Sequence, residues 1–195
     1  MPLFPGIWFS AVAPARALAA SATPSRVRPG DPGWPSETKW SHLAEQVQGQ
    51  LVKVQSPLAV CLAGPSGAPC AKLFKEFKNP YFLGDEVALT QTLGWVDAWT
   101  SRPSVYAVAA RSTADVVAAV NFARQNHLRL VVKGGGHSYQ GTSNAADSLL
   151  VWTRHMTEIT LHDAFVGAGC AGHAAPQRAV TVGAGALWSH VYDAV

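Results

Sequence analysis

The sequence predicts an α+β domain built on a small βαβ unit followed by further strands. Two observations carry this. Between Ser104 and Lys133 an apolar run, a helical repeat and a second apolar run follow one another, an order that favours parallel strands joined by a right-handed crossover. Beyond them, "SLLVWTR", "TEITLHD" and "RAVTVGAGA" are three more strand-like runs, rich in β-branched and aromatic residues. Composition allows a real core: 48% of the 195 residues are hydrophobic and 14% are charged, which argues against general disorder.

Residues 1–35 read as leader and linker. "MPLFPGIWFSAVAPARALAASATPS" is apolar and alanine-rich, and Ala17–Leu18–Ala19 and Ala20–Ser21–Ala22 resemble signal-peptidase sites. Nothing basic precedes the apolar part, and Pro5 and Pro14 interrupt it. Secretion stays open, beside a cytoplasmic protein with a disordered leader or a misassigned start codon. "RVRPGDPGWPS" is turn chemistry throughout.

Residues 36–100 read as an N-terminal extension with one helix and loops. Ser36 suits the helix N-cap, and Trp40, Leu43, Val47 and Leu51 fall on one face at helical spacing. Cys61 and Cys70 flank "CLAGPSGAPC", a span suited to a disulfide in an oxidising compartment, while two reduced thiols in a loop fit nearly as well. The stretch 78–104 looks irregular, with Trp95 and Trp99 expected to pack it onto the next unit.

Residues 101–195 hold the clearest pattern. "SVYAVAAR" is the first strand. Ser112 offers an N-cap with Asp115 three residues on, a capping box using Asp in place of Glu. Val116, Val120 and Ala123 are expected on the buried face, with the helix ending near Asn126–His127. "LRLVV" is the second strand, expected to pair with the first, and "LWSHVYDAV" is a helix in which the chain stops. No apolar stretch is long enough to span a bilayer. The formal charge is +3 without a Lys/Arg-rich run, so nucleic acid is not a favoured partner. Cys170 and His173 lack metal-ligand spacing. His127 suits a helix C-terminus; His155 and His162 read as strand-edge or surface residues, and no catalytic base is assigned.

The glycine run in "LRLVVKGGGHSYQGTSNA" stands where the second strand ends. Successive glycines open backbone conformations closed to other residues and let a ligand approach the main chain. Consecutive N–H groups turned inward make an anion-binding nest. Gly134, Gly135 and Gly136 therefore suit a phosphate-bearing ligand, or a tight structural turn. Two familiar phosphate motifs fail. Gly136 and Gly141 have P-loop spacing, but Thr142 stands where lysine is required; the dinucleotide fingerprint meets Tyr139 or Trp188 where its third glycine belongs. Lys133 reads as a charge beside the loop, whose loss would leave the nest in place.

His137 closes the run, an imidazole well placed as a nucleophile towards whatever the loop holds. With it, "VVKGGGHSYQGTSN" and the following "NAADSLLVWTRHMTEI" resemble the flavinylation region of the FAD-linked oxidases related to vanillyl-alcohol oxidase and p-cresol methylhydroxylase, in the berberine-bridge-enzyme-like branch. The resemblance is strong from about Ser101 to Val195 and weaker from about Asn79. It implies a p-cresol methylhydroxylase-type FAD-binding domain in which Gly134, Gly135, Gly136, Ser138 and Tyr139 contact FAD. It also implies that His137 carries the flavin covalently at the 8α-methyl carbon, in an enzyme oxidising a hydroxyl group of a sugar or alcohol with O2 as acceptor. Such oxidases are normally far longer, with a second glycine-rich FAD segment and a separate substrate domain. The expectation is therefore an N-terminal piece, inactive alone, with a truncated flavin-binding remnant without turnover as the alternative.

Overall fold

The computed structural model describes residues 26–195. The signal-like stretches near Ala17 and Ala20 lie outside the described residues.

Helix α1, Glu37–Gln46, begins as expected: Ser36 is the N-cap and its hydroxyl accepts from the Lys39 N–H. Trp40, Leu43 and Val47 are buried. The helix stops one turn earlier than the apolar spacing suggested. Gln48 (φ 53°) and Gly49 (φ 79°) take left-handed conformations and reverse the chain, which puts Leu51 into strand β1, Leu51–Lys53. Three further short helices follow where loops were expected: α2, Ala59–Ala63; α3, Ala68–Glu76; and α4, Pro80–Asp85. Runs of this length hold too few turns for a hydrophobic period to register. Their local signals are proline near the start of α3 and α4, and an Asn79 side chain that accepts from the N–H groups of Tyr81 and Phe82. A disulfide between Cys61 and Cys70 joins α2 to α3. A two-residue hairpin, β2 (Gly94–Trp95) and β3 (Trp99–Thr100), completes this part.

Strand β4, Tyr106–Ala109, leads into α5, Thr113–Gln125, and β5, Arg129–Lys133. The capping box of α5 is complete: Asp115 Oδ2 accepts from the Ser112 N–H at 2.9 Å, and the Ser112 hydroxyl accepts from the Asp115 N–H at 3.3 Å. Its inward face is rotated from the expected one. Ala119, Phe122 and Ala123 are buried, Val116 is half-buried and Val120 is exposed, because the face is set by where the ring of Phe122 meets Trp40.

Strand β6, Ser148–Trp152, changes the expected pairing. The main sheet runs β1-β4-β6-β5, with β4 and β5 each parallel to β6 and β1 antiparallel to β4. β4 and β5 are thus not neighbours. Every residue of β6 is buried, whereas β5 alternates and exposes Arg129 and Val132. A strand apolar on both faces gains most from the sheet centre, and the alternating one tolerates the edge. After a 3₁₀ turn at Thr153–His155, β7 (Ile159–Phe165) and β8 (Gln177–Val182) form a separate antiparallel ribbon, followed by α6, Trp188–Ala194.

The two faces of the main sheet bury different things. Tyr106, Val108, Leu149 and Val151 point towards α1 and α5, where Trp40 stacks on Tyr106 at 4.1 Å between ring centres and meets Phe122 at 4.8 Å. Ala107, Ala109, Leu150 and Trp152 point the other way, with Val131 and Ala145. Residues 36–53 are therefore part of the same core as residues 104–152, not an appendage to it: β1 pairs with β4, and Trp40 lies against Tyr106.

Candidate functional site

The glycine run leaves the end of edge strand β5 on the second face of the sheet. Gly136 has φ +73°, in the left-handed region that a side chain disfavours. What directs the loop is Gln91. Its N–H donates to the Gly136 carbonyl at 2.9 Å, and its Nε2 donates to the Gly135 carbonyl at 3.5 Å and to that of Pro80 at 2.9 Å. In a trans peptide the carbonyl and the next N–H point in opposite directions. Turning these two carbonyls to Gln91 therefore turns the N–H groups of Gly136 and His137 away from it. Among the described residues, the N–H groups of Gly135, Gly136, His137, Ser138 and Tyr139 make no hydrogen bond. Five consecutive free donors on one loop are the donor set of an anion nest.

The glycines also make room. A Cβ on Gly135 would stand 2.8 Å from His137 Nε2 and 2.9 Å from its Cδ2, so the imidazole occupies the space that a side chain there would take. A Cβ on Gly134 would meet the Ala184 carbonyl at 3.1 Å and Thr153 Oγ1 at 3.5 Å. This places the turn after β8 directly against the loop. The downstream side is closed by aromatic residues. Ser138 Oγ accepts from the Thr142 N–H at 3.0 Å and from the Gln140 N–H at 3.3 Å, folding residues 138–142 into a turn. Trp95 Nε1 donates to the Tyr139 carbonyl at 2.9 Å, and the Trp99 ring covers Gly141, whose own φ is +75°. Trp95 and Trp99 thus do pack onto the next unit, as expected, and do so at this loop.

An open pocket of about 230 Å³ lies beside the loop, with Tyr81, Gln91, Gly135, His137, Arg154 and Leu187 in its lining. Arg154 is only 9% exposed. Its Nε binds Asp85 Oδ1 at 2.7 Å and its Nη1 reaches the Gly185 carbonyl at 3.4 Å, tying the end of α4 to the turn before α6. His155, on the same 3₁₀ turn, lies edge-on to Trp152. Burial lowers its basicity first, with Arg111 and Arg154 acting the same way against Asp85. His162 shares a hydrogen bond of 2.8 Å with the Thr181 hydroxyl across the β7–β8 ribbon, away from the loop.

The sequence placed Gly134, Gly135, Gly136, His137, Ser138 and Tyr139 together, and they form one continuous loop, with His137 and Tyr139 exposed and Gly136 buried. It missed Gln91, which no motif marks, and gave no role to Asn144 or Arg154, although both lie in the stretches that carry the resemblance. It also misread Lys133. This residue is 2% exposed, with its Nζ turned onto backbone carbonyls beneath the loop; burial pushes its pKa down to about 8, opposed by the Glu86 carboxylate. The signal was present: Val131 and Lys133 are two apart on one strand and must share a face.

Residues 104–195 match the family described as an FAD binding domain. The VAO-type flavoprotein MtVAO615 of Myceliophthora thermophila C1 superposes with a TM-score of 0.68 and 25% identity, over 83% of this chain and 32% of that one. Residues 104–195 thus form an FAD binding domain, in a fold shared with VAO-type flavoproteins. Relatives include the FAD-linked oxidoreductase easE of Claviceps fusiformis, 32% identical over 86% of this chain and 32% of its own length. The bifunctional decalin synthase calF of Penicillium decumbens is 32% identical over 95% of this chain and 34% of its own. The chain thus spans about a third of the length of the relatives it matches. The family's FAD suits the loop on structural grounds, since five free N–H groups beside a buried left-handed glycine are the donors that a diphosphate needs. No helix among the described residues is long and apolar enough to cross a membrane.

Proposed function

We propose that the Gly134–Tyr139 loop receives the diphosphate of FAD and that His137 carries the flavin covalently at its 8α-methyl carbon. The whole protein would then oxidise a hydroxyl-bearing small molecule, a sugar or alcohol, with O2 as acceptor. The observation that supports this best is the row of free N–H groups from Gly135 to Tyr139 with the His137 ring folded over Gly135. When bound, FAD supplies the hydride-accepting chemistry.

The chain's own residues bind and orient. The free N–H groups offset the phosphate charge without a counter-ion. Gln91, by holding the carbonyls of Gly135 and Gly136, keeps those donors from turning back into the protein. The His137 imidazole stands at the loop's exposed edge, so an unprotonated ring nitrogen can reach an electrophilic carbon of a group held there. Trp95 and Trp99 hold the turn that follows. The names of the relatives, FAD-linked oxidoreductases, favour a redox role over a truncated flavin-binding remnant without turnover.

The test is expression of the protein with flavin available, denaturation, and peptide mass mapping. Flavin should stay on the peptide containing His137, and His137→Ala should leave FAD that washes out on unfolding. Flavin mapped to another residue, or released entirely from the wild type, overturns the covalent assignment.

A further inference from the structure

We propose that Lys133 is a positioning residue for the glycine loop: its ammonium pins the 86–89 segment beneath Gly136 and so sets the direction of the loop's peptide planes. The geometry stands by itself; its consequence for FAD rests on the function proposed above.

Lys133 ends β5 on the buried face, where an apolar residue is expected. Its Nζ donates to the carbonyls of Glu86 at 3.2 Å and Leu89 at 2.8 Å, and also to that of Val87. The carbonyl between them, Ala88, accepts from Asn144 Nδ2 at 3.0 Å. Four successive carbonyls, on a segment with no regular structure, are thus drawn inward by two side chains. An ammonium has three protons, and here each has a carbonyl. The Trp152 ring, 5.6 Å from Nζ, adds a cation–π contact.

The pin connects to the loop by direct contact. A Cβ on Gly136 would stand 3.3 Å from Thr90 Cα and 3.4 Å from Lys133 Cδ, so segment, lysine stem and glycine are stacked together. Immediately after Thr90 comes Gln91, whose N–H takes the Gly136 carbonyl. Holding carbonyls 86–89 inward fixes where Gln91 begins, and Gln91 fixes which way the loop's N–H groups face. A methionine could fill the same slot, but it could not hold the carbonyls. Directional bonding, not volume, is what this position requires.

Amide hydrogen exchange on the full chain without FAD tests the pin. Lys133→Met should speed exchange at the Gln91 amide by about tenfold or more, the scale of a lost charge-assisted hydrogen bond. Amides of β4 and β6 should keep their rates, and Lys133→Arg should restore most of the protection. FAD titration of the same proteins should show Lys133→Met weakened by about tenfold and Lys133→Arg much less. Unchanged Gln91 exchange in Lys133→Met overturns the pin, and faster exchange with unchanged FAD affinity overturns its role in positioning the loop. A wild type that binds no FAD defeats the functional reading, while the exchange result still decides the pin. Should Lys133→Met not fold, nuclear magnetic resonance of the wild type decides: slowly exchanging Nζ protons on Lys133 support the pin, and rapid exchange overturns it.

Discussion

If His137 carries the flavin as proposed, Gly135→Ala should separate the binding of FAD from its attachment. The added Cβ would lie 2.8 Å from His137 Nε2, whereas ordinary contact begins at 3.4 Å. The backbone of Gly135 is not in the left-handed region, so alanine brings no dihedral strain. The ring must therefore give way by roughly 0.6 Å, and His137 is exposed and free to do so. Misplacing a reacting atom by about 1 Å costs about 100-fold in rate, so a shift of this size should slow flavin attachment by about 10- to 50-fold. That corresponds to about 1.4–2.3 kcal/mol of barrier. Global stability should change by less than about 0.5 kcal/mol, since only an exposed ring moves. The assay follows the growth of denaturation-resistant flavin fluorescence with time after FAD is added to FAD-free protein, with Tm measured alongside. Gly134→Ala is the contrast: its Cβ would press on the Ala184 backbone carbonyl at 3.1 Å, so it should lower Tm. Attachment at the wild-type rate in Gly135→Ala would refute the argument that the position of the His137 ring governs the bond.

Two further outcomes follow from the scaffold. Asp115→Ala removes the carboxylate that accepts from the N–H groups of Arg111 and Ser112 and from the Ser112 hydroxyl, and should lower stability by about 2 kcal/mol in urea unfolding; an unchanged midpoint would mean that the box contributes nothing. His155 has its basicity lowered in the folded state, so the unfolded chain binds the proton more readily. The stability that His155 contributes is present above the unfolded value of 6.5 and is lost as pH falls through its lower folded value. Tm should then fall less steeply below that pH in His155→Gln than in the wild type, and parallel curves would remove the histidine from the account.

Much of the scaffold is local in origin and so legible in one dimension. The Ser112–Asp115 box needs only residues three apart, and it forms as read. The strand runs are marked by their apolar, β-branched residues, and the glycine run by the backbone freedom it gives. The short helices α2 to α4 escaped because five to nine residues of helix carry almost no period. The Cys61–Cys70 bond closes a loop whose redox state the residues left open.

For the site, the sequence by itself determined the loop: three glycines after a strand, then His137. Covalent neighbours stay neighbours whatever the fold, so a contiguous motif survives into three dimensions intact. Only the tertiary structure decided which way that loop faces. Gln91, Trp95, Trp99 and Arg154 reach it from other segments, the first three 38 to 46 positions before His137 and the last 17 after it. The insertion of β6 between β4 and β5 was equally hidden, because strand order depends on which strand gains most from burial on both faces. Lys133 shows the division at one residue. Its alternation with Val131 put it on the inner face, but only the fold could bring three carbonyls to the end of its side chain and turn a surface-type charge into a buried one.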